Sequence, residues 1–456
     1  MALDVKLTVW PFELPDRLSF IPELNCYSLP ENATDYYRLA HRHRTVVNRL
    51  PYSQSGKMDR DCAPEVRGGQ FDWKKYDARF GPLLDGSAFQ DLPRRGIPLE
   101  TFYLPIHENW PTAITDHYNG SYWADQAFSA EYREKFRDGV AEFARHIAKR
   151  GWNRTQFQVY FNNKINYKKS DWKDGSSPWL LDEPAHFQDF WAIRWFGMAF
   201  RDGLAASQLE NPPLVFRIDI SRPQWQRDSF NEILDYNVCA SGPGRVYRRL
   251  LQDNRSRFGQ QIIDYGTSNP IEVSNLQPAG WCLDAWCNGA DGVLPWQTMG
   301  NSKSWETADQ LALLYPAMSR GKGEPVPSVR LKSYLRGQQD VEYLALWATM
   351  TGEPRWAVGQ QVIAALKLRP EARSTGHVGD EDAGLLAYDS LRPQHLTTFR
   401  IAIARQLAER GDKVKSTPRA LVPERKSRSS RGGYVTVGVV PWDNSADAKS
   451  QKRLDP

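Results

Sequence analysis

Short apolar runs alternate with segments of helical periodicity along most of this sequence, and this alternation constrains the fold more than any other feature. About eight such pairs follow one another over roughly 300 residues, which is the size and order of a (β/α)8 barrel. The predicted strands include residues 18–29, 155–163, 214–220 and 291–299. The pattern predicts an α/β fold, a (β/α)8 barrel of the TIM type followed by a helical C-terminal extension. An open doubly wound sheet is the alternative.

The clearest predicted helix covers residues 129–152. Its apolar side chains recur at spacings of three and four, which places them on one face: Tyr132, Phe136, Val140, Phe143 and Ile147. Ser129 is suited to cap the first turn, and Gly151 is suited to end the last. The barrel is predicted to span residues 18–320, with helices over 321–410 packed on it.

The C-terminal residues 411–456 differ from the rest of the chain in charge. They contain ten Lys or Arg and five Asp or Glu, so the whole formal net charge of +5 lies there. A neutral body argues against a nucleic-acid enzyme, because such enzymes carry their basic field on the folded part. Few large apolar residues occur here apart from residues 434–442, which predicts a basic, disordered, solvated tail. We therefore expect deletion of residues 416–456 to leave stability unchanged.

Several classes of protein are excluded by what the sequence lacks. No run of about 20 apolar residues occurs, so no membrane span is predicted. The first residues lack the basic and apolar regions of a signal peptide, although a longer precursor stays open. Five cysteines, an odd number, do not form a disulfide framework, and no metal-ligand or nucleotide-binding spacing accompanies them. We predict no metal and no cofactor, while oligomeric state and compartment have no marker in the sequence.

In a barrel of this kind the active site lies where each strand gives way to its loop at the carboxyl end. The residues at these positions are polar or aromatic: His107, Glu108, Asn109, Asn162, Asn163, Asp219, Asp264, Tyr265 and Trp296. Carboxylates transfer protons, amides bind hydroxyl groups, and Trp faces stack on the C–H face of a sugar ring. This composition predicts a carbohydrate substrate.

The most specific motif is Asp182-Glu183-Pro184, which follows the apolar residues 179–181. Consecutive residues on a strand point to opposite faces, so two adjacent carboxyl groups share a site only where the strand breaks. Pro184 is suited to provide that break. The alternative is structural: Asp182 caps a helix that begins near Pro184, and Glu183 lies in its first turn.

Several segments resemble a known family of barrels. The early ELNCYSLP and HRHR segments, FDWKKYDARFGPLLDG, FYLPIHENWP, LLDEP and VPSVRLKSYLRGQQDVEYL resemble the domain of unknown function 4091, which is related to glycoside hydrolase family 123. The resemblance covers roughly residues 15–365, and its most specific parts are LDEP and RLKSYLRGQQDVEYL. Family members commonly carry a β-sandwich before the barrel, so residues 1–17 are interpreted as the remnant of a preceding β-rich segment.

The resemblance implies a hexosaminidase that uses the 2-acetamido group of its own substrate. Asp182 would orient and polarise the acetamido N–H, and Glu183 would protonate the leaving oxygen. The expected substrate is a terminal β-linked N-acetylhexosamine, with N-acetylgalactosamine favoured. Apolar neighbours such as Trp179 would raise the pKa of Glu183 and keep its carboxyl group protonated.

The candidate substrate-binding residues are His107, Glu108, Asn109, Asn162, Tyr265, Trp281, Trp286 and Trp296. Each has a structural alternative, because amides and tyrosines also hold loops and a large buried Trp is commonly plain core. Two other functions stay open. One is a two-carboxylate glycosidase in which Asp219, Asp264 or Glu108 partners Glu183. The other is a sugar-binding or structural barrel without catalysis.

Overall fold

The computed structural model describes residues 7–30, 33–163, 177–266, 273–317, 323–373, 385–411 and 414–425. Its centre is an eight-stranded parallel sheet. The strands are β1 Ile21–Cys26, β2 Val46–Arg49, β3 Thr101–Tyr103, β4 Gln156–Val159, β5 Leu214–Ser221, β6 Tyr236–Ala240, β7 Gln261–Gly266 and β8 Gly292–Pro295. They are ordered β2-β1-β8-β7-β6-β5-β4-β3. Across the seam between the end strands, Asn48 Nδ2 donates to Thr101 Oγ1 at 2.9 Å. The sheet therefore forms a nearly closed barrel, and the predicted fold class is confirmed.

Helices surround the sheet, as the alternating pattern predicts. The longer ones are α1 Ala33–Arg42, α2 Lys74–Leu84, α3 Ala130–Arg150, α4 Phe187–Ser207, α5 Arg248–Phe258, α6 Gln277–Cys287, α7 Val329–Thr351, α8 Arg355–Leu366 and α9 Pro393–Arg410. The capping residues of α3 behave as predicted. Ser129 Oγ accepts from the Tyr132 N–H at 3.2 Å, and Gly151 ends the helix with φ 69°.

Helix α7 belongs to the barrel as well as to the C-terminal helical region. It packs against α6, where a Cβ on Gly337 would lie 2.8 Å from Ala279 Cα. From α7, Gln338 Nε2 donates to the Phe20 carbonyl at 3.3 Å, just before β1. Helix α7 therefore takes the eighth helical position around the barrel, and α8 and α9 pack outside it.

Three local features differ from the sequence-based expectation. Helix α6 has no predicted counterpart, because all of its residues are buried and it shows no polar face to mark its period. The sequence FDWKKYDARFGPLLDG predicts a helix from Phe71, but Gln70–Asp72 pairs with Glu65–Arg67 as an antiparallel hairpin, so the helix begins at Lys74. Described residues 7–17 form no strand, and Phe12 packs edge-on against Tyr343 with ring centroids 5.4 Å apart.

The interior of the barrel is strongly polar. Glu23, Asn48, Gln158 and Arg217 are all buried within it, next to a small apolar group. That group consists of Val215, Tyr236, Val238, Ile263 and Leu294. Buried polar groups are tolerated only when they are hydrogen-bonded, and these form a connected network. The larger apolar core lies between the sheet and the helices.

Residues 414–425 lie against the floor of the barrel, at the amino ends of the strands. Gln261 Nε2 donates to the Ala420 carbonyl and Gln156 Nε2 to the Leu421 carbonyl, both at 2.5 Å. The Arg419 side chain is buried, with 9% of the residue exposed. The expectation of a solvated tail therefore fails for this segment, because a buried anion inside the barrel pairs with Arg419. Residues 434–442 lie outside the described residues. Within the described part of the chain, no helix is long and apolar enough to cross a membrane.

Candidate active site

The Asp182–Glu183 pair lies between the carboxyl ends of β4 and β5. The Asp182 N–H donates to the Asn163 carbonyl at 3.3 Å, and the Glu183 N–H donates to the Asp219 carbonyl at 2.9 Å. The loop that carries the pair is thus attached to one neighbouring strand end by each residue. This is the face of the barrel at which active sites form.

The backbone at Glu183 explains how two adjacent carboxyl groups serve one site. Glu183 has φ 55°, in the left-handed region that a side chain with a Cβ adopts only at a cost. The strand alternation is therefore broken at Glu183 itself, one residue before Pro184. Ser221 has φ 57°, and its Oγ donates to Glu183 Oε1 at 2.6 Å. Two residues in the same uncommon conformation are in contact, as is typical of functional sites.

The two carboxyl groups have different surroundings. Asp182 is buried with 3% exposed, and its Oδ2 accepts from the Tyr160 hydroxyl at 3.3 Å. The same hydroxyl lies 3.2 Å from Asn162 Oδ1, so Tyr160 joins Asp182 to Asn162. Glu183 is only partly buried and is held by Ser221. One carboxyl group is fixed inside the site and the other is accessible, which suits two different chemical roles.

Asp182 does not cap helix α4, which was the structural alternative for this residue. Helix α4 begins at Phe187, with His186 at its N-cap position. Its first turn carries Asp189, whose carboxylate accepts from the backbone N–H groups of Leu180, Ala185 and His186 at 2.9, 3.2 and 2.9 Å. Burial raises the pKa of Asp189, although these hydrogen bonds oppose the shift. Asp189, and not Asp182, therefore fixes the loop at the start of α4.

Arg217 and Asp219 form a buried ion pair beneath the site. Arg217 donates from Nε and Nη2 to the two oxygens of Asp219 at 2.6 and 2.7 Å. The guanidinium also lies 4.0 Å from the centroid of the Tyr160 ring. The charge of Asp219 is thus compensated inside the protein.

Four of the residues that form this site were missed by sequence reasoning: Tyr160, Asp189, Arg217 and Ser221. For Arg217 a signal existed, because the strand LVFRIDIS places it on the same face as Asp219 at a period of two. Ser221 follows at the same spacing, but the register of the strand shifts between Asp219 and Ser221, so the alternation does not locate its side chain. Tyr160 and Asp189 carried no comparable signal, since one follows a short strand and the other lies within a helix.

Of the residues predicted near β3 and β4, Asn162 and Asn163 lie beside the pair, and Glu108 is linked to it through Asn163. Asn163 Nδ2 donates to Glu108 Oε1 at 3.0 Å, and Asn162 contacts Tyr160. His107 is structural: its ring nitrogens lie 2.8 and 3.0 Å from the Pro105 and Gly56 carbonyls. Asn109 Oδ1 accepts from the Ile114 N–H at 3.2 Å and so holds its own loop.

The residues predicted on the β7 and β8 side divide into two groups. Tyr265 and Trp296 are partly exposed at the strand ends, and the Trp296 ring lies 6.3 Å from that of Tyr27. Trp281 is buried and donates from Nε1 to Asp264 Oδ1 at 2.9 Å. The ring of Trp286, on α6, faces α8, and its centroid lies 4.8 Å from Cζ of Arg355. Trp286 is therefore outside the barrel and away from the site.

Two further placements bear on the chemistry. Trp179 is fully buried in an aromatic cluster with Tyr118 and Phe128. Its influence on Glu183 therefore stays a prediction. Within the described ranges, no group of three His, Cys, Asp or Glu side chains is arranged to hold a metal ion.

Comparison with solved structures finds likenesses of fold. A family 123 glycoside hydrolase from Clostridium perfringens matches at 12% identity and a TM-score of 0.49, covering 87% of this chain and 69% of that chain. A GH138 enzyme targeting pectin rhamnogalacturonan II matches at 12% identity and 0.37, covering 76% and 43%. The GH53 catalytic domain of Ignisphaera aggregans matches at 14% identity and 0.34, covering 71% and 97%. At these values the likenesses carry no argument for substrate or mechanism.

No protein-family model matches the sequence, and no curated protein matches it. Membership in the family of the domain of unknown function 4091 therefore stays a prediction from local motifs.

Proposed function

We propose that the protein is a glycoside hydrolase that removes terminal β-linked N-acetylhexosamine, with N-acetylgalactosamine favoured, through an oxazolinium intermediate. The observation that carries this proposal is the Asp182–Glu183 pair at the carboxyl ends of β4 and β5. Asp182 is buried and held by a phenol, whereas Glu183 is accessible and held by a hydroxyl. Paired carboxyl groups in unlike environments are what acid catalysis with a second, orienting acid requires.

The proposed reaction proceeds in two steps. Glu183 donates its proton to the glycosidic oxygen while the acetamido oxygen attacks C1, so the bond from C1 to the leaving oxygen breaks. Asp182 accepts a hydrogen bond from the acetamido N–H and stabilises the positive charge that develops on the oxazolinium ring. Water then attacks C1, Glu183 takes its proton, and the acetamido group is restored. The product sugar retains its configuration because C1 is inverted twice.

The surroundings of the other carboxyl groups favour substrate assistance over a two-carboxylate mechanism. Asp219 is paired with Arg217, and Glu108 is wholly buried with an Asn163 hydrogen bond. Asp264 accepts from both Ser241 and Trp281. Each of these three groups is engaged within the protein, so the substrate's own acetamido oxygen is the better candidate for the nucleophile.

The sugar is recognised by polar and aromatic groups that are partly exposed at the rim or lie next to Asp182. We propose that Asn162, next to Asp182, binds a hydroxyl or the acetamido oxygen. Tyr265 and Trp296, on the opposite side of the rim, contact the ring. Glu108 supports Asn163 from within the protein, and His107, Asn109, Trp281 and Trp286 maintain the structure.

The acetamido group gives a direct test. We expect 4-nitrophenyl 2-acetamido-2-deoxy-β-galactoside to be hydrolysed at least about 100-fold faster than the matched 2-hydroxyl galactoside, which lacks the internal nucleophile. A stable thiazoline analogue of the oxazolinium should inhibit tightly. Asp182→Asn should lower kcat on the acetamido substrate. Equal rates on the two sugars would favour the two-carboxylate alternative, and no hydrolysis of any aryl glycoside would favour a non-catalytic barrel.

A further inference from the structure

A buried polar column runs along the barrel axis from the floor toward the candidate active site. At its lower end Arg419 donates from Nη1 to Glu23 Oε1 at 3.1 Å. The other oxygen of Glu23 accepts from Gln158 Nε2 at 3.0 Å. Gln158 Oε1 in turn accepts from Arg217 Nη1 at 3.1 Å. The C-terminal segment is thus connected to β1, β4 and β5 through four buried side chains.

The upper end of the column reaches the backbone of the proposed acid. Arg217 is paired with Asp219 through two hydrogen bonds. The Asp219 backbone carbonyl accepts from the Glu183 N–H at 2.9 Å. Ser221, two residues further along the same strand, donates to the Glu183 carboxyl group. Strand β5 therefore holds both the backbone and the side chain of Glu183.

Arg419 compensates the negative charge of Glu23 in the column. Glu23 is 0% exposed, and a buried carboxylate without a counter-charge is strongly unfavourable. Arg419 and Glu23 form one buried ion pair, and Arg217 and Asp219 form the other, so the column is neutral. Loss of Arg419 would leave an uncompensated negative charge inside the barrel.

We propose that residues 414–425 are a docking segment whose Arg419 fills a guanidinium-binding site in the barrel floor, and that the column transmits this docking to Glu183. Arg419 is a positioning residue, since it lies at the opposite end of the barrel from the pair. The segment has further anchors, because Gln156 and Gln261 hold its backbone and Arg425 pairs with Asp235. The transmission part rests on the proposed function, whereas the docking part does not.

The floor site matches the shape of a guanidinium. Arg419 donates to Glu23 Oε1 at 3.1 Å, to the Tyr236 oxygen at 3.0 Å and to Gln156 Oε1 at 3.2 Å. A planar, forked donor reaches these three acceptors together, whereas an ammonium group is a single point charge. Removing the side chain should therefore leave a site that a small guanidinium compound refills better than a small amine.

The experiment uses the full chain with Arg419→Ala and, as a control, Lys415→Ala, which removes an exposed cation from the same segment. Thermal unfolding is measured together with kcat and KM on an aryl β-N-acetylhexosaminide. We expect Arg419→Ala to lower Tm by about 5 °C or more, and to lower kcat about tenfold with KM little changed. Methylguanidine should restore both values, methylammonium should not, and Lys415→Ala should match the wild type.

Two further variants are measured in case Arg419→Ala folds poorly. Arg419→Lys should be intermediate in Tm, and Glu23→Gln should raise the Tm of Arg419→Ala because it removes the unpaired charge. A Tm for Arg419→Ala within about 1 °C of the wild type would overturn the docking part. A lowered Tm with unchanged kcat, measured well below the unfolding range, would overturn the transmission. Absence of any glycosidase activity would overturn the proposed function and the transmission, while Tm and rescue still test docking.

Discussion

Burial controls the protonation of Asp264, whose carboxyl group lies near the end of β7. It raises the pKa from 3.8 to about 7, although Ser241 and Trp281 both donate hydrogen bonds to Oδ1 and oppose the shift. A carboxyl group whose pKa is raised on folding binds its proton more tightly in the folded state. The contribution of Asp264 to the free energy of unfolding is therefore greatest below about pH 4 and falls as pH rises between about 4 and about 7.

Replacing Asp264 with Asn should remove this dependence on pH. The amide keeps an oxygen that accepts from Ser241 and Trp281 but does not titrate. Between pH 5 and pH 8 we expect the wild type to lose about 2 kcal/mol of unfolding free energy that Asp264→Asn retains. Urea unfolding of both proteins at the two pH values measures the difference. An identical pH dependence would show that Asp264 is ionised throughout this range.

At the scale of elements, the site depends on how closely α3 and α4 pack. A Cβ on Gly203, in α4, would lie 2.6 Å from Val140 Cβ and 2.8 Å from the Arg137 carbonyl of α3. Such distances are too short for a side chain, so the two helices approach as closely as they do only because residue 203 is Gly. Helix α4 also carries Asp189, which holds the loop of the Asp182–Glu183 pair. The packing of α4 therefore contributes to the geometry of the site.

The same substitution at two glycines should have opposite effects. Gly203→Ala must push α3 and α4 apart, and we expect it to cost about 1 to 3 kcal/mol of unfolding free energy. Gly244→Ala, within the short helix Ser241–Val246, has Cys239 Cβ at 3.9 Å as its nearest neighbour. It should gain about 0.5 to 1 kcal/mol, because Ala restricts the unfolded chain. Denaturant unfolding compares the two, and equal effects would contradict the close packing of α3 on α4.

The elements themselves were largely predictable, because periodicity and caps are local signals. Helix α3 begins after Ser129 and ends before Gly151 as expected. The site was only partly predictable. The Asp-Glu-Pro motif predicts the Asp182–Glu183 pair, but the residues that contact it lie in α4, in β5 and just after β4. Tyr160 and Arg217 acquire their roles from neighbours that only the closed barrel brings together.

At the scale of the whole molecule, composition alone misjudges residues 414–425, the part of the C-terminal region beyond residue 411 that the structure describes. The segment is basic and poor in apolar residues, which is the signature of a solvated chain. Arg419 is nonetheless buried, because its partner Glu23 lies inside the barrel. The two residues are 396 positions apart in the sequence. An ion pair over such a separation leaves no local trace. An ion pair between Arg419 and Glu23 thus joins the C-terminal segment to the first strand.

Glu183 is proposed as the general acid, and a comparison of leaving groups tests this role. Glu183→Gln is measured on an N-acetylgalactosaminide with a 2,4-dinitrophenyl leaving group and on an unactivated disaccharide with the same terminal sugar. Glu210→Gln, an exposed site, is the control for the substitution. We predict that Glu183→Gln loses about 100-fold or more in kcat on the disaccharide and far less on the dinitrophenyl substrate, which needs little protonation. Wild-type turnover of the disaccharide by Glu183→Gln would show that Glu183 is not the general acid.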